Sequence, residues 1–240
     1  MMRAGVHGVI WPALGQKVAL PLVASPIMSL ALLLVILPLM RPLITRFDRY
    51  CVCIEQTAAV TPDGITIREP LPAVEVGSVQ SCSTAVARVT AVDTLHWLSA
   101  GATSFFRGLN DTPKILALGV AAALSVGVTR LPLYGFVALA MGVGSVIAGF
   151  RVTRTLAEKV TRITPANGFA ANVVTSLLVG AASRFALPVS TTHVSSGAII
   201  GVGLRERDVR WKIVTEMLLA WVVTLPVSAL LAAGAQWALG

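Results

Sequence analysis

Charged residues are scarce in this sequence. Asp, Glu, Lys and Arg make up 12% of its 240 residues, whereas they make up about a quarter of an average soluble domain. Hydrophobic residues account for 55%, and the mean hydropathy is +0.81. This balance excludes a soluble globular domain, and we expect the lipid bilayer to be the main solvent of the chain.

Acidic residues are fewer than basic residues, 11 against 19, which leaves a net charge of +8. A basic balance can indicate a nucleic-acid partner. Here, however, Lys and Arg occur in short runs between apolar segments and not along one polar face. We therefore expect no nucleic-acid partner, and we interpret the basic runs as signals of membrane topology.

Cysteines and catalytic motifs are also sparse. The three cysteines, Cys51, Cys53 and Cys82, have no neighbouring His. They form neither an obvious disulfide framework nor a complete zinc site, and we expect them to be reduced. The sequence has no HExxH motif, nucleophile elbow or paired carboxylates. We expect no enzyme, no catalytic residues and no cofactor.

The sequence is instead a series of apolar segments. A helix needs about 20 residues to cross roughly 30 Å of hydrocarbon, and four stretches qualify: 18–40, 131–150, 169–187 and 213–237. Two others are imperfect, because one is overlong and interrupted by polar residues and one is short: 95–128 and 189–204. Since lipid tolerates no open sheet edge, the sequence predicts an all-α, polytopic helical membrane protein.

Basic runs predict how these segments are oriented. The runs begin at Arg41, Arg151 and Arg205, and the positive-inside rule places all three on the cytoplasmic side. Residues 42–93, which are polar and contain many Pro and Gly, are then a cytoplasmic connecting loop. The stretches on either side of Pro188 both have cytoplasmic flanks, so they form a hairpin with this proline at its tip. The C-terminus is predicted to lie outside.

An internal repeat relates the two ends of the chain. The segments that begin at Trp11 and Trp211 align without gaps and share a Trp and a Pro. The predicted topology orients the two copies oppositely, as in the inverted repeats of secondary transporters, whose sites lie at broken helices. We therefore expect residues 1–41 to be the tail of a first repeat, 42–93 to be a linker and 94–240 to be the second repeat.

Two polar clusters interrupt the apolar sequence. The first, SFFRGLNDTPK from Ser104 to Lys114, places an acid, an amide and two bases within 95–128. Intramembrane charges are costly unless they are paired or solvated. Gly108 and Pro113 permit the helix to open and free backbone groups for an ion. The alternative is a surface helix that ends before an interfacial turn at 110–114.

The second cluster, LPVSTTH from Leu187 to His193, lies at the predicted hairpin tip. Hydroxyls and unpaired N–H groups at a helix N-terminus suit an oxyanion, because the helix dipole also favours negative charge. A simple N-cap is the alternative, and capping is compatible with binding. His193 has no partner of the kind a metal site needs, so we interpret it as a polar residue packed between helices.

These residues carry a resemblance to a known family. GLNDTPK at 108–114 resembles one signature of the inorganic phosphate transporter (PiT) family, and 162–204 resembles its second signature region around PVSTTH. The resemblance covers about 95–239, plus 11–40 as the tail of the first repeat. It implies a multi-pass secondary transporter of the plasma membrane that carries inorganic phosphate by symport with sodium or protons.

The resemblance also implies residue roles. Asp111 is expected to bind the coupling cation, as a sodium ligand if the transporter is sodium-coupled, and Lys114 to neutralise the anion in part. The substrate and ion site as a whole comprises Asn110, Asp111, Thr112, Lys114, Ser190, Thr191 and Thr192. Three further residues are expected to contact the binding residues and not the ligand: Ser104, Arg107 and His193.

The chain departs from the family in holding only one N-D and one STTH motif, whereas the family has both in each repeat. The sequence leaves three explanations open: a truncated product, one subunit of a split transporter, or a homodimer in which another protomer supplies the missing repeat. The consistent basic bias disfavours the homodimer. A different class of function is a non-transporting remnant or regulatory subunit that associates with a full-length transporter.

Overall fold

The computed structural model describes residues 11–60, 66–78, 87–124 and 130–239. π-Helical turns at Gly15–Ala19 and Thr155–Lys159 precede the second helix and follow the fourth. The regular elements in chain order are α1 (Trp11–Leu14), α2 (Leu20–Phe47), β1 (Tyr50–Val60), β2 (Thr66–Ser78), β3 (Ala87–Thr90), α3 (Ala91–Leu124), α4 (Arg130–Arg154), α5 (Pro165–Arg184), α6 (Thr191–Glu206) and α7 (Trp211–Leu239).

Four helical segments in the described part of the chain are long and apolar enough to cross a membrane. They coincide closely with the four apolar stretches expected from the sequence, which confirms the helical, polytopic fold. The segments are Leu20–Phe47, Leu131–Lys159, Pro165–Arg184 and Trp211–Ala235.

Helix α3 differs from its prediction. It is one helix of 34 residues that continues through Gly108 and Pro113, so the expected break is wrong, and so is the alternative of an interfacial turn. Pro113 cannot donate to the carbonyl of Leu109, but Asn110 and Lys114, on either side of it, both donate to backbone carbonyls of the hairpin between α5 and α6. A helix of this length extends about 51 Å, which is enough to cross the bilayer.

Helices α3 and α5 run parallel. The hydrogen-bonded side-chain pairs between them keep a constant sequence separation of 73, as parallel helices in register must: Ser99 with Asn172, Thr103 with Ser176, and Asn110 with Ser183. Helix α6 runs antiparallel to α3, because the separation falls from 88 for Arg107 and Ser195 to 80 for Asp111 and Thr191. This agrees with the predicted hairpin.

Helices α2 and α6 are also parallel and pack closely. Leu22 lies beside His193 and Pro26 lies beside Gly197, so both helices advance together. A Cβ atom on Gly197 would collide with the backbone carbonyl of Pro26. Glycine at this position therefore permits the close backbone approach that small residues provide in membrane helix pairs.

Helix α7 runs antiparallel to α6. The ring centroid of Trp221 lies 3.7 Å from that of His193 at the start of α6. Val214, earlier in α7, packs in a cluster with Ile199 and Ile200 further along α6. Helices α2 and α7, which carry the two aligned segments, therefore run in opposite directions, as an inverted repeat requires. The repeat itself stays a prediction.

All three basic runs lie at one end of the bundle, which we call the basic end. Arg41 and Arg205 line the same pocket. The backbone N–H of Arg210 donates to Val160 at 3.0 Å, and Arg162 lies 4.0 Å from Asp208. The expectation that the three runs share one side is therefore confirmed. The positive-inside rule predicts that this side faces the cytoplasm.

The segment between α2 and α3 contains a sheet. Its three antiparallel strands have the order β2-β1-β3, so the expectation of a connecting loop is wrong for these strands. In β1 the buried side chains of Cys51 and Cys53 alternate with the exposed side chains of Val52 and Ile54. This period of two is the pattern of a strand with one covered face, and the polar composition of the whole segment obscured it.

The cysteines divide into two kinds. Cys51 is a free, buried thiol, as expected. Cys53 is disulfide-bonded, so the expectation of reduced cysteines is wrong for this residue. The two side chains lie on the same face of β1. Whether a thiol forms a disulfide depends on its distance from another thiol in the folded chain, and sequence spacing does not reveal that distance. Cys82 lies outside the described residues.

Candidate functional site

The hairpin between α5 and α6 turns at residues 185–190. Ser190 caps α6 by accepting a hydrogen bond of 3.3 Å from the backbone N–H of His193. The capping interpretation of this hydroxyl is therefore confirmed. The first N–H groups of a helix have no intrahelical acceptor, so the tip combines hydroxyls and backbone donors at the positive end of α6.

A polar turn of α3 faces this tip. Lys114 lies one turn after Asn110, and its Nζ atom donates to the Oδ1 atoms of Asn110 and Asp111, the latter at 2.9 Å. The same ammonium donates to the backbone carbonyl of Val189 at 2.7 Å. Lys114 therefore ties the carboxylate of α3 to the backbone of the hairpin tip.

Asp111 contacts the tip directly as well. Its Oδ2 atom accepts a hydrogen bond of 3.1 Å from the hydroxyl of Thr191, whose side chain is buried. Both carboxylate oxygens are thus engaged, one by an ammonium and one by a hydroxyl. The expectation that these two motifs meet in space is confirmed.

These groups border an open cleft of about 380 Å³, which we call the tip cleft. The side chains of Lys114 and Asp111 are 38% and 35% exposed there, so both are half-buried yet accessible. Hydroxyls, backbone donors and an ammonium can bind an anion, and a carboxylate with neighbouring oxygens can bind a hard cation. The lining residues are Leu22, Asp111, Lys114, Pro188, Val189, Ser190, Thr191 and Thr192.

Asn110 lies beneath the tip cleft and does not line it. Its side chain is buried, and its Nδ2 atom lies 3.4 Å from Ser183 Oγ and 3.5 Å from the carbonyl of Leu187. Both acceptors belong to the hairpin. Asn110 therefore positions the tip and orients Lys114, which suits a supporting role more than direct contact with a ligand.

Three other predicted site residues lie away from the cleft. Thr112 faces α4, where its hydroxyl lies 3.8 Å from the sulfur of Met141. Ser104 donates to the carbonyl of Ala100 within its own helix. Arg107 donates to Ser195 of α6, one helical turn from the contact between Asp111 and Thr191.

His193 lies behind the cleft, as the sequence interpretation expected. Its Nδ1 atom is 3.3 Å from the carbonyl of Leu22, and its ring stacks on Trp221. It joins three helices, α2, α6 and α7, around the base of the tip. No group of three His, Cys, Asp or Glu side chains that could hold a metal lies within the ranges the structure describes. A cation at Asp111 would therefore take hydroxyl or carbonyl oxygens as its other ligands.

Sequence reasoning missed several groups at the site. The carbonyls of Leu187 and Val189 accept from Asn110 and Lys114, but a backbone acceptor leaves no mark in a sequence. Ser183 is the partner of Asn110 because α3 and α5 are parallel, and only the constant separation between their polar residues would have indicated it.

Comparisons with known proteins identify the family of the chain. The model of the phosphate transporter family matches residues 1–232. A protein of Bacillus subtilis (strain 168) named "Probable low-affinity inorganic phosphate transporter" is 35% identical over 150 residues, which cover 59% of this chain and 45% of the relative. "Inorganic phosphate transporter 2-1, chloroplastic" of Arabidopsis thaliana is 35% identical over 152 residues, which cover 58% of this chain and 26% of the relative.

A protein of Rhizobium meliloti (strain 1021) bears the same name as the Bacillus protein and is 33% identical over 147 residues, 58% of this chain and 44% of the relative. The chain thus spans less than half the length of these curated relatives. No solved structure matches. The family match over most of the chain, with four helices able to cross a membrane, shows that this multi-pass membrane protein belongs to the phosphate transporter family.

Proposed function

We propose that this chain transports inorganic phosphate across the plasma membrane by symport with sodium or protons, and that the tip cleft is its binding site. The single observation that carries the proposal is that the carboxylate of Asp111, a cation ligand, lies within hydrogen-bond distance of both the ammonium of Lys114 and the hydroxyl of Thr191. The names of the relatives support phosphate as the substrate.

The anion part of the site is the hairpin tip. Ser190, Thr191 and Thr192 supply hydroxyls at the N-terminus of α6, where the helix dipole and the free N–H groups favour an oxyanion. Lys114 supplies the positive charge from the opposite wall. An ammonium binds phosphate as a point charge and does not require the fixed geometry of a guanidinium, so it can move between partners.

Lys114 can couple the two ligands. Its ammonium bonds Asp111 Oδ1, and this bond competes with a cation for the carboxylate. When a phosphate oxygen takes the ammonium, Oδ1 becomes available to sodium or to a proton. Each ligand then raises the affinity for the other, since coupling between two sites is reciprocal.

A second polypeptide or protomer is proposed to complete the transporter. In the apolar window of α7 no residue is buried, and in that of α4 only 6% are, so both helices have faces available to another helix. The alternative is a non-transporting remnant or a regulatory subunit bound to a full-length transporter.

The experiment is phosphate binding to the purified chain in lipid nanodiscs. Phosphate is titrated at several sodium concentrations at fixed pH, and at several pH values without sodium. We expect one of the two cations to raise phosphate affinity, which also identifies the coupling ion. Lys114→Gln should remove this enhancement, whereas Lys212→Gln, at the exposed start of α7, should retain it. Binding that neither cation changes would contradict the coupling proposal.

The same preparation separates the alternatives for transport. The chain is reconstituted alone and together with a full-length relative, and phosphate uptake into vesicles is measured. Uptake by the chain alone, or uptake that requires it as one subunit, supports the proposal. A chain that binds no phosphate but copurifies with the full-length transporter and alters its rate would establish the regulatory role instead.

A further inference from the structure

A second polar cavity lies on the other side of the contact between α3 and α6. Helices α3, α5 and α6, with the end of α4 and the turn that follows it, border a half-open cavity of about 280 Å³. We call this cavity the Arg107 chamber. It is large enough for a tetrahedral oxyanion with some of its water. Its polar lining includes His96, Ser104, Arg107, Asn172, Thr175 and Ser195.

Arg107 is the charged group of this chamber, and one of its donors is unused. An Nη atom of the guanidinium donates to Ser195 Oγ, but the Nε atom is buried without a partner among the described residues. A buried donor without an acceptor is costly, and such groups in a fold call for a ligand or an ordered water. The guanidinium also lines the chamber, and guanidinium N–H groups are strong donors to the oxygens of an oxyanion.

The charge of the lining favours the binding of an anion that is not accompanied by a cation. The described residues that line the Arg107 chamber include one Arg and one His but no Asp or Glu. The tip cleft, in contrast, pairs Asp111 with Lys114. Asp111 is the acid nearest along α3, but both of its oxygens are occupied by Lys114 and Thr191.

The chamber lies between the tip cleft and the basic end. The contact of Arg107 with Ser195 is one helical turn, about 6 Å, from that of Asp111 with Thr191, because α3 and α6 are antiparallel. The lining of the Arg107 chamber continues to Leu156 and Ile163, in the segment between α4 and α5 that belongs to the basic end. An anion that leaves the tip cleft toward the basic end would thus meet Arg107 next.

We propose that the Arg107 chamber is a second oxyanion-binding site, which takes orthophosphate without a coupling cation on its way between the tip cleft and the cytoplasm. The proposal rests on the proposed function, since that identifies the substrate and the direction of the path. It adds a step to the proposed function. The phosphate moves by one helical turn from the tip cleft, which it shares with a cation, to the Arg107 chamber, where the guanidinium supplies the positive charge.

The test separates two components of phosphate binding to the full chain in nanodiscs, measured by titration calorimetry with and without the coupling cation. We expect a cation-independent component that Arg107→Gln weakens at least about tenfold, since a hydrogen-bonded charge is lost. Asp111→Asn should remove only the cation-dependent component. Arg162→Gln is the matched control, because this side chain is 87% exposed at the basic end and does not line the chamber.

A second variant covers the case in which Arg107→Gln does not fold. Ser104 is exposed and lines the chamber, so Ser104→Glu should fold and repel the anion, while Ser104→Gln retains binding. A wild-type chain without a cation-independent component, or one whose component survives both Arg107→Gln and Ser104→Glu, overturns the inference. A cation-dependent component that Asp111→Asn leaves unchanged counts against the proposed function and not against the chamber.

Discussion

The hydroxyl of Thr191 lies 3.1 Å from the carboxylate of Asp111, although 80 residues separate the two in sequence. A lone carboxylate at membrane depth is costly, and a hydroxyl, an ammonium and an accessible cleft reduce that cost together. The contact also joins α3 to the hairpin tip, so the polar groups of the two motifs form one site.

Asp111→Asn should abolish coupled phosphate uptake in any assembly in which this chain transports. The amide keeps the size of the side chain but removes the charge that a cation requires. Uptake of labelled phosphate into vesicles, with and without the cation gradient, measures the effect. Asp208→Asn, at the basic end, is the control and should leave uptake unchanged. Normal accumulation by Asp111→Asn would refute the role assigned to the carboxylate.

Thr191→Val should weaken phosphate or cation binding by about 10- to 100-fold, which corresponds to one hydrogen bond to a charged group, about 1.5–3 kcal/mol. The substitution removes an oxygen at similar volume. Thr191→Ser retains the hydroxyl and should bind nearly as the wild type does. If Val and Ser at this position bind phosphate equally well, the hydroxyl is not a ligand and does not orient Asp111.

Gly197→Ala should destabilise the bundle by about 1–3 kcal/mol, the usual cost of overpacking, because the added Cβ atom meets the carbonyl of Pro26 in α2. Thermal unfolding in detergent measures the effect. Gly144→Ala in α4 is the matched control, because its Cβ atom would meet nothing within 4 Å, and it should unfold at or slightly above the wild-type temperature. Equal behaviour of the two variants would contradict the close packing of α2 and α6.

A cysteine at Arg205 of the basic end should react with a membrane-impermeant maleimide only after cells are permeabilised. A cysteine at Leu131, at the opposite end of the bundle, should react in intact cells. Both are introduced into a chain whose own cysteines are replaced by serine. Labelling of Arg205→Cys from outside would invert the topology, and it would agree with the disulfide at Cys53, since disulfides are typical of oxidising compartments.

Hydropathy and motif spacing were sufficient for the membrane segments and for much of the site. Stretches of about 20 apolar residues have few alternatives to a helix in lipid, so the spans were predictable one by one. The hairpin followed from the basic runs on both of its flanks. That Asp111, Lys114 and Thr191 would contact other polar groups was predictable, because polar groups in an apolar stretch need partners.

The direction in which each side chain of α3 points was less predictable. Asn110, Asp111 and Thr112 are consecutive, but successive residues of a helix point about 100° apart. Only the packing of α4 and α5 against α3 decides that Thr112 faces Met141 and that Asn110 lies beneath the cleft. The unbroken course of α3 through Pro113 was not predictable either, because Asn110 and Lys114, on either side of the proline, are held by the hairpin.

By itself, therefore, the sequence determined that lipid is the main solvent of this chain, the number and approximate positions of its apolar spans, and the residue types that meet at the hairpin tip, because each follows from local composition and spacing. The tertiary structure alone decided that Lys114 bonds the carbonyl of Val189, that β1 to β3 form a sheet and that Arg107 opens on a separate chamber. These features depend on contacts between distant segments, and such contacts are set by packing geometry in three dimensions.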